Sequence, residues 1–306
     1  MLYTLGQVCV SEVIAITKRK MLTEEHVEAD GISMEYADDV TGAMAVPDEV
    51  SAQACINIMM SEYEKYFSAC GLCLNTDKCM FIVLRTKAPT RTIFWNGKPE
   101  EEKVKLLGIH LDNRYSFTAH VLHLVKVCSF KISSLRRAAT WLSEKNMKEI
   151  VQSLVLGQLR YCLEIFIKSK AAKVKLQKII NSSARLVLKK PLTENVGRML
   201  EELKWLNFYN FHQEQQIQAL RRLLLTSSAQ NTFLLLDFES RAYSTRRRSL
   251  KITWNPKTFG SKSFFQESVK LWNELKVSDE PWRKDKVEFT TWLKATLIAK
   301  NGNQNI

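Results

Sequence analysis

An α+β fold, with short antiparallel strands in the first third and helices thereafter, is predicted by three observations. Apolar residues approach Asp38-Asp39 in alternation (Ile32, Met34, Tyr36), and an apolar exit follows (Val40, Ala43, Ala45, Val46). Asn96-Gly97, preceded by Ile93, Phe94 and Trp95, is a strong signal for a two-residue hairpin turn. After Arg114 the apolar spacing becomes helical almost without interruption.

The elements follow in order. Residues 6–19 form an amphipathic helix, with Val8, Val10, Val13, Ile14 and Ile16 among polar positions. A hairpin then carries Asp38 and Asp39 at or near its tip. Asp48 opens a helix to about Ala69, with Ile56, Met59, Tyr63 and Phe67 on one face. Gly71 stops it by offering the left-handed conformation that ends many helices. Short strands are expected at 72–74 and 79–84, with Asn75-Thr76-Asp77-Lys78 between them, and another at 104–111. Beyond these, Phe117, Val121, Leu124, Cys128, Ile132 and Leu135 form one helical stripe. Ile150, Leu154 and Leu159 form a second, and Val174, Ile180, Ala184 and Val187 a third. Thr193 caps a short helix to Leu203, and 208–225 continues with Phe211, Ile217, Leu220 and Leu224. Residues 226–262, rich in Ser, Thr, Asn and Arg and holding Arg246-Arg247-Arg248, read as an exposed basic loop or arm. Helices around Phe264–Leu275 and Asp285–Lys300 close the chain. Three regions result: 1–114, 115–225 and 226–306.

Charge separates along the same lines. The net charge of +13 divides into −5 for residues 1–114 (12 Lys and Arg against 17 Asp and Glu) and +18 for the remainder (33 against 15). A basic region beside an acidic one fits a protein that tracks a phosphate backbone and acts on it. A solvated helical surface is the plainer explanation, and charge alone leaves both open. Seven cysteines at irregular spacing (9, 55, 70, 73, 79, 128, 162) suggest reduced thiols and an intracellular setting, nucleus or cytoplasm. Cys70-Gly71-Leu72-Cys73 lacks the second ligand pair a zinc site needs. His120 and His123 are expected to share a helical face as packing residues. No apolar run reaches the length that spans a bilayer, so no membrane partner is expected.

Asp38 and Asp39 hold the chemistry. Paired carboxylates on a rigid turn suit Mg²⁺, a hard cation bound by one or two carboxylates together with phosphate oxygens. Two such ions can clamp the attacking and leaving oxygens of a phosphoryl transfer. Short acids also favour turns for conformational reasons alone, because they hydrogen-bond their own backbone.

Taken in order, these segments resemble one family. Tyr36-Ala37-Asp38-Asp39 resembles the catalytic hairpin of reverse transcriptases. After a helix, Gly71-Leu72-Cys73-Leu74-Asn75-Thr76-Asp77-Lys78 is similar to the family's next segment. Leu106-Leu107-Gly108-Ile109-His110-Leu111-Asp112 resembles its primer-gripping strand pair. Spacing and order are closest to the RNA-directed DNA polymerases of non-LTR retrotransposons. The Arg-rich residues 241–248, Phe264-Phe265 and Leu271-Trp272-Asn273-Glu274-Leu275 resemble the end of those elements' reading frames, with Lys276 where a Pro is common.

The resemblance implies a partial polymerase palm, a helical thumb and a C-terminal helical region. Asp38 would ligate the two Mg²⁺ ions that activate the primer 3′-hydroxyl, with Asp39 assisting. Tyr36 and Ala37 would shape the turn near the primer end. Lys78 would lie near the deoxynucleotide triphosphate and neutralise the leaving pyrophosphate. Leu107 and Gly108 would position the primer, and Arg246, Arg247 and Arg248 would contact nucleic acid. The partners implied are an RNA template with a DNA primer, or an RNA–DNA hybrid. In the family another metal-binding Asp precedes the hairpin on an upstream strand, followed by a Gly-containing nucleotide-binding segment. Leu2-Tyr3-Thr4-Leu5 looks like the tail of that segment, and Asp30 and Glu35 are too close to the hairpin to substitute. The expectation is a truncated polymerase without activity of its own. The alternatives are a non-catalytic nucleic-acid-binding remnant or a non-functional coding fragment.

Overall fold

The structure, a computed structural model, describes residues 2–36, 39–85, 88–166, 170–226, 236–239, 249–252, 264–277 and 285–302. It is mixed α+β and mostly helical, with small antiparallel sheets. Two units divide the chain, Met1–Tyr115 and Ser116–Ile306. The second holds both the central helices and the C-terminal pair.

In the first unit, helix α1 (Leu2–Thr23) buries Val13, Ile14, Thr17 and Met21, the three-or-four spacing of one face. Strands β1 (Asp30–Tyr36) and β2 (Asp39–Ala45) pair antiparallel from Asp30↔Ala45 to Tyr36↔Asp39. Helix α2 (Glu49–Ala69) begins where Asp48 accepts the Ser51 N–H at 2.8 Å, which satisfies one of the orphan donors of the first turn. It ends with Gly71 at φ +73° and Leu72 N–H donating to Phe67 O at 2.8 Å, a Schellman-type closure.

Gly42 lies on the inner face of the hairpin, where a Cβ would stand 2.9 Å from Tyr63 Oη and 3.1 Å from Met59 Sδ. A side chain at this position would displace the Tyr63 hydroxyl and the Met59 thioether, so glycine favours this close approach of β2 to α2. Val40 packs with Val13, Tyr63 and Phe67, so the tip end of the hairpin lies toward the C-terminal turns of α2.

The strands expected at 72–74 and 79–84 do not form. Cys79, Phe81 and Val83 do alternate onto Ile56, Ile93 and Trp95, which accounts for the period-two pattern. The backbone there makes isolated bonds, Glu101 N–H to Phe81 O at 2.9 Å and Arg85 N–H to Asn113 O at 3.2 Å. Alternation reports an extended chain with one buried face, and a ladder is a further condition. Arg85 ends this run between Glu49 and Glu100, each at 2.7 Å, with all three side chains largely buried.

Asn96 and Gly97 have φ +48° and +71° between β3 (Phe94–Trp95) and β4 (Lys98–Pro99), as expected of a two-residue hairpin. The single strand expected at 104–111 is instead a second hairpin, β5 (Lys103–Leu106) with β6 (Ile109–Asp112).

In the second unit, α3 (Thr118–Ala138) buries His120, Val121, Leu124, Cys128 and Ile132. His123 is exposed, so the two histidines do not share a face. The next stripe is not the one expected from Ile150, Leu154 and Leu159. Leu154 is 47% exposed, and Met147, Val151, Val155, Leu159 and Leu163 are buried, each four residues from the last. An α-helix would turn that row off its face by about 40° per step, because four residues exceed one turn. The π-helical segment Gln152–Leu156, between α4 (Glu144–Val151) and α5 (Gly157–Arg160), takes up this drift. Helix α6 (Leu163–Phe166) follows.

On α7 (Lys170–Leu188) Ile180, Ala184 and Val187 are buried and Val174 is half-buried. Helix α8 (Val196–Leu203) is capped by Asn195, which accepts the Arg198 N–H at 3.2 Å, and not by Thr193. Both residue types cap well, and Asn195 is the one immediately before the first helical residue. Helix α9 (Phe208–Leu225) has the expected bounds, with Asn207 as its cap. Strands β7 (Leu236–Glu239) and β8 (Ser249–Ile252) pair inside the stretch expected to be a loop. Helices α10 (Phe264–Glu274) and α11 (Lys286–Asn301) pack on α9 through Ile217, Leu220, Trp272, Phe289, Leu293 and Leu297. Among the described residues no helix is long and apolar enough to cross a membrane.

Candidate active site

The Tyr-Ala-Asp-Asp run brackets the closure of the β1–β2 hairpin. Tyr36 pairs with Asp39, so residues 37 and 38 fall between the two strands, and Ala37 and Asp38 themselves lie outside the described residues. Asp39 is exposed, and Tyr36 is 67% exposed. Ile32 and Met34 share the outer face with Tyr36 and are also largely exposed. The inner face rests on α1 and α2. Burial pushes the Tyr63 hydroxyl up to about 12, with the nearby Glu35 charge adding to the effect. Acidic Glu35 therefore faces the interior side, away from Tyr36.

Among the described residues no group of three or more His, Cys, Asp or Glu is placed to hold a metal ion. The sheet has two strands, and no third strand lies beside the hairpin among those residues. Asp30 cannot serve at the tip. It pairs with Ala45 at the opposite end of the ladder, about 20 Å away at the usual rise per residue. Its carboxylate is held by Lys18 and the Gly31 N–H, which lower its proton affinity.

Lys78 is exposed on a turn built by Asn75. The Asn75 side chain accepts the Asp77 and Lys78 N–H groups at 3.1 and 3.3 Å. Lys98 closes the turn from outside, donating to Thr76 O at 3.0 Å and pairing with Asp77 at 3.1 Å. The turn leads from the C-terminal end of α2, the same end toward which the hairpin tip lies.

Leu107 and Gly108 are the two turn residues of the β5–β6 hairpin, at φ +45° and +87°. Sequence reasoning set them inside a strand, because an apolar residue carries no turn signal. A leucine in the left-handed region is strained by about 1–2 kcal/mol. Such strain is found where the surrounding structure holds a residue for a purpose. Leu107→Gly is expected to raise the melting stability of the chain by about 1 kcal/mol, measured by urea titration. Unchanged or lower stability would mean the leucine packs well enough to offset its backbone conformation.

Arg246, Arg247 and Arg248 lie outside the described residues. Cys55, Cys70, Cys73, Cys79, Cys128 and Cys162 are free, with Cys70 and Cys73 exposed. Sequence reasoning missed Gly42 and the Arg85–Glu49–Glu100 cluster. Gly42 interrupts a strand and was a readable sign of close backbone approach. The Arg85 cluster has no local signature, since its members are 15 and 36 residues apart in sequence. Comparison of the chain with protein-family models, with curated proteins and with solved structures returned no match.

Proposed function

We infer that this chain carries the catalytic-hairpin and nucleic-acid-holding portions of an RNA-directed DNA polymerase of the non-LTR retrotransposon type. The supporting observation is the hairpin register, which pairs Tyr36 with Asp39, the residues that flank Ala37 and Asp38 in sequence. In this reading Asp38 and Asp39 ligate Mg²⁺ beside the primer 3′ end. Lys78 attends the triphosphate, Leu107 and Gly108 grip the primer, and residues 116–306 hold the RNA–DNA hybrid by its phosphates. Mg²⁺, when bound, would supply Lewis-acid charge to the reacting oxygens. The protein's share is to hold the two carboxylates on a rigid strand pair and to keep the duplex against them.

Among the described residues no third carboxylate stands on a strand beside the hairpin. Two-metal transfer relies on placed charge for most of its transition-state stabilisation. Primer extension on an RNA template with deoxynucleotides and Mg²⁺ is therefore expected to be undetectable for this chain alone. Incorporation that disappears in Asp38→Asn would overturn that expectation and show a complete active site.

A second reading, a nucleic-acid-binding protein without catalysis, draws on the +18 charge of residues 116–306. It shares the binding behaviour of the first and differs in leaving Asp38 and Asp39 without a task.

A further inference from the structure

The strongest unexplained feature outside the hairpin is a basic cavity in the second unit. It has a volume of about 390 Å³ and opens where α3 packs on α7. Arg136 comes from the last turn of α3, Arg185 from the last turn of α7, and Lys189 and Lys190 from the residues that end α7. Ser182 and Leu192 also line it. No carboxylate lines the cavity, and among the described residues none of the four cations is in an ion pair.

Two features fix the ring of charge. Lys189 adopts φ +52°, and Lys190 N–H donates to Arg185 O at 3.2 Å, which folds both lysines back over the helix end. Arg185 donates through Nη2 to Leu192 O at 3.2 Å, while its Nε is buried without a partner. A buried donor left unmade is costly.

Cations at helix C-termini have an ordinary use, since each end carries roughly half a negative charge. Two helix ends amount to about one negative charge. Four cations exceed that by about three, so dipole compensation does not account for the cluster. Trp141 stands two residues beyond Ala139 of the lining and is 88% exposed. A cationic groove beside an exposed aromatic ring is the pairing that binds single-stranded nucleic acid, phosphate on the cations and base on the ring.

We propose that this cavity seats a backbone phosphate of a single-stranded nucleic-acid segment, with Trp141 stacking on the adjoining base. The proposal rests on the reading that the second unit holds nucleic acid, and adds to it a site for an unpaired strand.

The test is binding of a 12-nucleotide oligouridylate to the full chain across a salt series. It compares the parent with Arg136→Gln/Lys189→Gly/Lys190→Gln and with Trp141→Ala, all checked for unchanged melting. Glycine suits position 189, where φ is positive. Loss of one phosphate contact should weaken the triple variant on the order of tenfold at 50 mM salt and make its salt slope shallower by about 0.7. Trp141→Ala should weaken binding roughly fivefold or more with the slope unchanged. A triple variant with the parent's affinity and slope would overturn the proposal, as would a parent that does not bind the oligonucleotide. A triple variant that weakens while Trp141→Ala does not would overturn the single-strand assignment, leaving a seat for phosphate alone. Failure of the proposal leaves hybrid binding intact. Failure of the polymerase reading shows instead as oligonucleotide binding without any hybrid binding.

Discussion

Raising monovalent salt from about 50 to about 200 mM is expected to weaken binding of an RNA–DNA hybrid to the full chain by roughly a thousandfold. Residues 116–306 hold 33 of the 45 Lys and Arg residues and a net charge of +18. If about six of those cations neutralise phosphates, log K falls with a slope near −5 against log salt, because each neutralised phosphate releases its counterion. A fourfold change in salt then gives slightly more than three orders of magnitude. The first unit, at −5, has a net charge of the opposite sign and is left out of this count. Fluorescence anisotropy with a labelled hybrid measures the slope directly. Affinity that does not change with salt would mean that the positive charge is a solvated surface with no part in binding.

Trp272→Ala is expected to destabilise the chain by about 3–5 kcal/mol, the usual range for truncating a buried tryptophan. The indole is fully buried on α10 among Ile217, Leu220, Phe289 and Leu293. Domain stabilities are only about 5–15 kcal/mol, so this one change approaches the limit of what a unit tolerates. Trp272→Phe keeps much of the buried area and should recover more than half of the loss. Urea unfolding followed by circular dichroism separates the two. The size of the effect also reports organisation. A loss under about 1 kcal/mol would mean that α10 and α11 melt apart from α9, so that the C-terminal helices do not support the central ones. A large loss means that α9, α10 and α11 unfold as one cooperative body.

The hairpin that carries the candidate site was legible because its signals are local. Asp48 as a cap, Gly71 as a stop, Asn96-Gly97 as a turn, and the acidic break between Tyr36 and Val40 each act within a few residues. The bounds of α9 and the burial of Phe117, Val121, Leu124, Cys128 and Ile132 followed from helical period. What stayed hidden depends on packing. The buried row from Met147 to Leu163 has a period of four, which a 3.6-residue template misses, so the expected stripe takes in exposed Leu154 and half-buried Ile150. The extended run at 79–85 satisfies a strand's side-chain pattern without its ladder. Leu107 turns the chain with a side chain that has no preference for turns. The basic cavity collects Arg136 of α3 with Arg185 of α7, nearly fifty residues on, and with Lys189 and Lys190 just past that helix, and no short motif announces it.

The most direct measurement of what the hairpin faces is a zero-length photocrosslink from a primer bearing 4-thiothymidine at its 3′ end, annealed to an RNA template. The crosslinked residue is identified by mass spectrometry of the digested full chain. If Tyr36, Ala37, Asp38 and Asp39 surround the primer terminus, adducts will fall within residues 30–45, with a second group at 105–110. Adducts confined to residues 116–306, or spread without preference, would contradict a polymerase palm and leave a protein that holds nucleic acid without acting on it.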